Sequence, residues 1–347
     1  MRYSLIVLTV LGVCMWSCDP KTNTNNTVVD KDTVQVISVE DSLQFLTNNI
    51  QANSNESHHW FNRANYFLRR GGIKDALIDM KSAVRLDTNN TVYLNKYADL
   101  LVTTLDIENA LANYGKVLFL DSTNTKAYIG MARVYALVNN PGMATGYLQK
   151  AYQIDPHLSE AYFLEGMIYR SDYEETGRKE SIKRALSSFQ TAVEQNPSYY
   201  SAYIQMGVIN HRMKNDIALD YFNTAIAIEP NSTEAWYNKG RYFQDKKMLE
   251  EAKYCYRTVS SIDSLHSESY YNQGYIKLIF EKELDSAIYF FTYTTQVDSL
   301  HIYAYNNLGL AYERNGEIEN AKSAYRKAID INSDFKLAKT NLNIISK

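Results

Sequence analysis

One kind of position in this chain is small about every 34 residues. Ala64, Ala98, Ala132, Gly166, Gly207, Gly240, Gly274 and Gly309 follow one another at intervals of 34, 34, 34, 41, 33, 34 and 35. A second ladder keeps step with the first: Ala76, Ala110, Ala144, Ala185, Ala218, Ala252, Ala287 and Ala321. Such a unit has room for two helices of about a dozen residues and two short turns. It is too small to bury an apolar face alone, so each unit must stack on its neighbours.

The large residues say which faces meet. Four residues before the first ladder stand Trp60, Leu94, Tyr128, Tyr162, Tyr203, Trp236, Tyr270 and Tyr305. Four residues after the second stand Met80, Tyr114, Leu148, Phe189, Phe222, Tyr256, Phe291 and Tyr325. Spacings of i, i+4 and i+7, as in Trp236, Gly240 and Phe243, put these groups on one helical face. Small residues return at Ala83, Ala151, Ala192, Ala225 and Ala328, and Pro156, Pro197 and Pro230 stop the second helix five residues later. With only 5 Pro and 14 Gly in 347 residues, a turn-rich β architecture is excluded, and the 29 Tyr are absorbed mainly as packing residues.

This pattern resembles the tetratricopeptide repeat, a helix-turn-helix unit, over residues 57–335. The resemblance implies an all-α, right-handed superhelical solenoid of about eight repeats: 57–90, 91–124, 125–158, 159–199, 200–232, 233–266, 267–301 and 302–335. A capping helix is expected within 39–56 and another within 336–347. Repeat four has seven extra residues within Arg170–Ser181, read as a surface insertion between its helices.

The amino terminus carries a different signal. Met1-Arg2 precedes an apolar run from Leu5 to Trp16, too short to span a bilayer that needs roughly 20 residues. Ser17-Cys18 then resembles the lipobox of bacterial lipoproteins, although Trp16 is large where that pattern usually has a small residue. The resemblance implies a signal peptide over 1–18, a lipid on Cys18, and export to an envelope membrane facing the periplasm or cell surface. Residues 19–38, with their run of Lys, Thr and Asn, are expected to be a polar tether.

No constellation points to catalysis, a metal or a cofactor. His58, His59, His157, His211, His266 and His301 share no ligand spacing, and those at inter-repeat turns are expected to be solvated. Cys255, one residue before packing Tyr256, is expected to be a buried thiol. Gly71-Gly72 and Gly142 are read as turns, and Asp263-Ser264-Leu265 and Asp298-Ser299-Leu300 as helix-capping turns. A net charge of -3 argues against a nucleic-acid partner.

Within the resemblance, the first helices line the concave groove. Tyr237, Asn238, Arg241, Tyr271, Asn272, Tyr275, Asn306 and Asn307 are then expected to face a protein or peptide partner. Asn amides can grip an extended backbone, and Tyr supplies a rigid plate with a polar tip. The function expected is a non-enzymatic protein-interaction scaffold. The alternative is a glycan-binding envelope lipoprotein whose inner tyrosines stack on sugar rings.

Overall fold

The computed structural model describes residues 39–346. The signal segment 1–18, the lipid site at Cys18 and the tether 19–38 lie outside the described residues. Among the described residues there are helices and turns and no strands.

The chain divides into two compact units, one running to Ala202 and one from Tyr203. In the first, α1 (Val39–Ala52) precedes four helix pairs. These are α2 (Ser57–Leu68) with α3 (Ile73–Leu86), α4 (Thr91–Thr103) with α5 (Ile107–Leu120), α6 (Thr125–Leu137) with α7 (Pro141–Ile154), and α8 (Ser159–Thr176) with α9 (Lys179–Gln195). Helix α10 (Tyr200–Arg212) carries the boundary between units. The second unit continues with α11 (Ala218–Ile228), α12 (Thr233–Asp245), α13 (Leu249–Ile262) and α14 (Ser267–Ile276). A π turn (Lys277–Glu281) follows, then α15 (Leu284–Val297), α16 (Ile302–Arg314), α17 (Ile318–Ile331) and α18 (Lys336–Ile345).

The helices begin and end for local reasons. The side chains of Asn124, Asn140 and Ser232 accept from the amides of Ala127, Met143 and Ala235, satisfying donors that a helix start leaves open. At the far ends, Asp121, Asp155, Asp263 and Asp298 each accept from the amide two residues on, closing a tight turn after the second helix.

The glycine ladder exists because an aromatic ring occupies the space of the missing side chain. A Cβ on Gly166 would lie 2.5 Å from Phe189, on Gly207 2.5 Å from Phe222, and on Gly309 2.6 Å from Tyr325. In each case the ring belongs to the second helix of the same repeat. The ring thus fills its own hairpin, a choice that the spacing alone does not make. Phe189, Phe222 and Phe291 are wholly buried, each stabilising its hairpin by about 2–3 kcal/mol relative to exposure. Where Tyr takes this place its hydroxyl needs an acceptor: Tyr256 finds Gln244 at 2.9 Å and Tyr325 finds Glu313 at 2.7 Å.

The first set of aromatics does different work. Trp60 and Trp236 donate through Nε1 to the carbonyls of Ser54 and Pro230 at 2.9 Å. Tyr128 and Tyr162 reach Ser122 and Pro156 in the same way. Each pins the turn six residues before it.

Three expectations need correcting. The extra residues of repeat four form no loop: they lengthen α8 to 18 residues and α9 to 17, leaving only Gly177 and Arg178 between them. Asp172 holds that tip by accepting from Arg178 and Ser181. Gly142 lies in the first turn of α7, not in a loop. His301 is 8% exposed, because it caps a helix instead of facing water.

Candidate functional site

The eight groove residues sit on α12, α14 and α16, the first helices of three consecutive repeats in the second unit. Residues 35 or 36 apart meet across this row. The Asn272 amide donates to the Tyr237 hydroxyl at 3.2 Å, and the Asn307 amide to the Tyr271 hydroxyl at 3.1 Å. Asn341 on α18 continues the series, donating to Asn306 at 3.2 Å. The repeat period thus becomes a ladder of side-chain hydrogen bonds linking one first helix to the next.

Membership of that ladder decides what each residue can offer. Asn272 is 9% and Asn306 2% exposed, so both are structural rungs, correcting the expectation that they face an open groove. Tyr237, Tyr271 and Asn307 are half-buried and share their polar tips with those rungs. The Asn238 amide donates to the Glu234 carbonyl of its own helix at 2.9 Å. Arg241 is exposed, and Tyr275 shows part of its ring.

The tyrosine rings rest on histidines. His266 and His301 cap α14 and α16, each accepting through Nδ1 from the amide three residues on, at 3.2 and 3.1 Å. Accepting at Nδ1 places the proton of the neutral ring on Nε2. Tyr237 lies over His266 with ring centres 5.1 Å apart, and Tyr271 stacks on His301 at 4.8 Å. The His301 Nε2 lies 3.3 Å from Glu268, and this ring holds the Glu268 carboxyl below its usual range. Burial, assisted by Glu268, pushes the Tyr271 hydroxyl up to about 12, so it stays protonated and can donate.

Sequence reading missed His266, His301, Glu268 and Asn341. A signal was present: Asp-Ser-Leu-His occurs at 263–266 and again at 298–301, in step with the tyrosines it supports. In the first unit, Arg133 on α6 links the first helices ionically, reaching Asp99 of α4 at 3.3 Å and Glu160 of α8 at 2.5 Å.

Cys255 is buried and its thiol is pushed up to about 11 by desolvation, which suppresses the reactive thiolate. Among the described residues no group of three or more His, Cys, Asp or Glu could hold a metal, and no helix is long and apolar enough to cross a membrane.

The geometry defines a class: stacked helix pairs joined by short turns, with small-residue seams and a row of first helices bonded side chain to side chain. Residues 233–264 and 302–335 each match the tetratricopeptide repeat, so the chain carries repeats of that kind. It is similar to human tetratricopeptide repeat protein 6, with 25% identity over 195 residues covering 55% of this chain and 37% of the relative. It is also similar to the probable UDP-N-acetylglucosamine–peptide N-acetylglucosaminyltransferase SPINDLY of Hordeum vulgare. There the identity is 24% over 169 residues, or 46% of this chain and 17% of the relative. The chain therefore spans well under half the length of these relatives. Among solved structures, the human IFIT1 dimer with m7Gppp-AAAA has the same fold, with a TM-score of 0.54 and 18% identity. That match covers 85% of this chain and 68% of that one.

Proposed function

We propose that this chain is a non-enzymatic scaffold that binds another protein along the first helices of its second unit. The observation that carries the reading is the ladder Tyr237–Asn272, Tyr271–Asn307 and Asn306–Asn341, which fixes the spacing of consecutive first helices. A row set in this way presents Arg241 and Tyr275 in fixed positions, and rigid aromatic and Arg anchors are what interface hot spots use. Attachment to a bacterial envelope membrane through acylated Cys18 belongs to the same proposal and rests on the amino-terminal sequence. A protein rather than a nucleic-acid partner is favoured by the net charge of -3.

A photoreactive residue placed at Tyr275 should capture one defined protein, while the same probe at exposed Arg326 on α17 should not. The double variant Arg241→Ala, Tyr275→Ala should then weaken that protein's binding by about 2 kcal/mol with helicity unchanged. Equal capture at both positions, or undiminished affinity, contradicts the site. The anchor has its own test: Cys18→Ser should abolish detergent partitioning, and unchanged partitioning would remove the lipid from the proposal.

A further inference from the structure

Repeat seven holds one residue too many. Gly274 and Ala287 are 13 apart, whereas Gly240–Ala252 and Gly309–Ala321 are 12 apart. One extra helical residue rotates all that follows by about 100°, which would turn the packing face away. The chain absorbs it in the π turn, where the Lys282 amide reaches back to the Lys277 carbonyl. Wide turns of this kind concentrate at functional sites.

Beside the turn lies a cavity of about 480 Å³, within the range of small-molecule sites. Leu278, Ile279 and Leu284 line it together with Lys282 and Arg314. Its apolar side is offered by the partly buried Ile279 and Leu284, with Leu278 wholly buried behind them. Of the nearby acids, Glu281 pairs with Lys253 and Lys277, Glu283 with Lys277 at 2.7 Å, and Glu313 accepts from Tyr325, while Asp285 beside Leu284 is exposed. Arg314 uses one N–H on the Leu278 carbonyl at 3.4 Å, and its guanidinium has five. Among the described residues the Lys282 ammonium has no partner. Two cations over an apolar surface select an anion that carries a hydrocarbon body.

We propose that this cavity binds an aliphatic carboxylate, its hydrocarbon against Ile279 and Leu284 and its carboxylate between Lys282 and Arg314. A free fatty acid and the carboxy-terminal aliphatic residue of a peptide share this chemistry. The cavity lies at the hairpin end of repeats seven and eight and does not include the ladder, so its failure leaves the proposed function standing.

The test titrates the full chain separately with octanoate and with a tripeptide ending in leucine, following the methyl signals of Ile279 and Leu284 by NMR. At least one probe should shift them saturably. Octanamide and the amidated tripeptide should bind about tenfold more weakly or worse, as should each probe to Lys282→Gln and Arg314→Gln. Both substitutions fall on exposed side chains and should leave the circular dichroism melt unchanged. Saturation by octanoate alone assigns a free acid, and saturation by the peptide alone assigns a chain terminus. Three outcomes overturn the proposal: neutral probes binding as well as charged ones, undiminished binding in both variants, or no saturable shift with either acid.

Discussion

Repeats four and seven both depart from the common length, and the chain accommodates them in opposite ways. Repeat four gains seven residues and stays regular: α8 and α9 have 18 and 17 residues, where α6 and α7 have 13 and 14. Seven residues are close to two helical turns of 3.6, so each arm of the hairpin grows by about one turn and the faces stay in register. Repeat seven gains a single residue, which no pair of helices can share in phase. It becomes a π turn with a cavity beside it. Repeat five shows the converse. Gly207 and Ala218 are 11 apart, and α11 begins at Ala218 itself, whereas α13, α15 and α17 begin three residues before their ladder alanine. A change of length is cheap when it respects the helical period and leaves a mark when it does not.

The largest expected effect tests what the two repeats share. Gly166→Leu and Gly274→Leu should each cost about 3 kcal/mol in urea unfolding, since even a Cβ would sit 2.5 Å from Phe189 or 2.9 Å from Phe291. Equal stability of either variant and the parent would break the shared register.

The next effects separate the repeats. Shortening α8 by four residues and α9 by three, with Gly177 and Arg178 kept, should cost about 1 kcal/mol, because the period is respected. Deleting only Glu174 and Glu175 should cost about twice as much despite removing less chain. A smaller penalty for the two-residue deletion would refute the phase argument. In repeat seven, deleting partly exposed Phe280 should restore regular helix, change stability by less than about 1 kcal/mol and remove the cavity.

The smallest effect sharpens the interior of repeat four. Burial pushes the Glu165 carboxyl up, partly countered by the Ser188 hydroxyl donating to it at 2.8 Å. The folded protein therefore holds this proton more tightly than the unfolded chain, and stability falls as pH rises through the carboxylate range. Glu165→Gln should raise the melting temperature at neutral pH, with the gain closing near pH 4. A gain that is the same at both pH values would exclude this carboxyl as its source.

The paired-helix fold was legible because packing depends on small and large residues at fixed spacing, and those spacings survive in the sequence at Gly166–Phe189 as at Gly309–Tyr325. The direction of the aromatics was not legible, since the spacing cannot say whether Phe222 packs on its own repeat or the next. The seven extra residues suggested a surface insertion over Arg170–Ser181, yet Arg170–Glu174 pairing and the Asp172 contacts suit a helical hairpin tip equally well. At the candidate site the residue types were visible and their exposure was not. Asn272 and Asn306 look like free amides until the repeat sets partners opposite them, 35 residues away in each case. The histidine caps were hidden because His is an uncommon cap, although the repeated Asp-Ser-Leu-His marked the place.

A partner protein docked on the first helices of the second unit would shield their backbone amides from solvent. Hydrogen exchange of the full chain, measured with and without the protein captured at Tyr275, tests this most directly. Docking there should slow exchange in α12 and α14 and leave α13 and α15 unchanged. Protection confined to α13 and α15, or to the hairpin tip of α8 and α9, would contradict it.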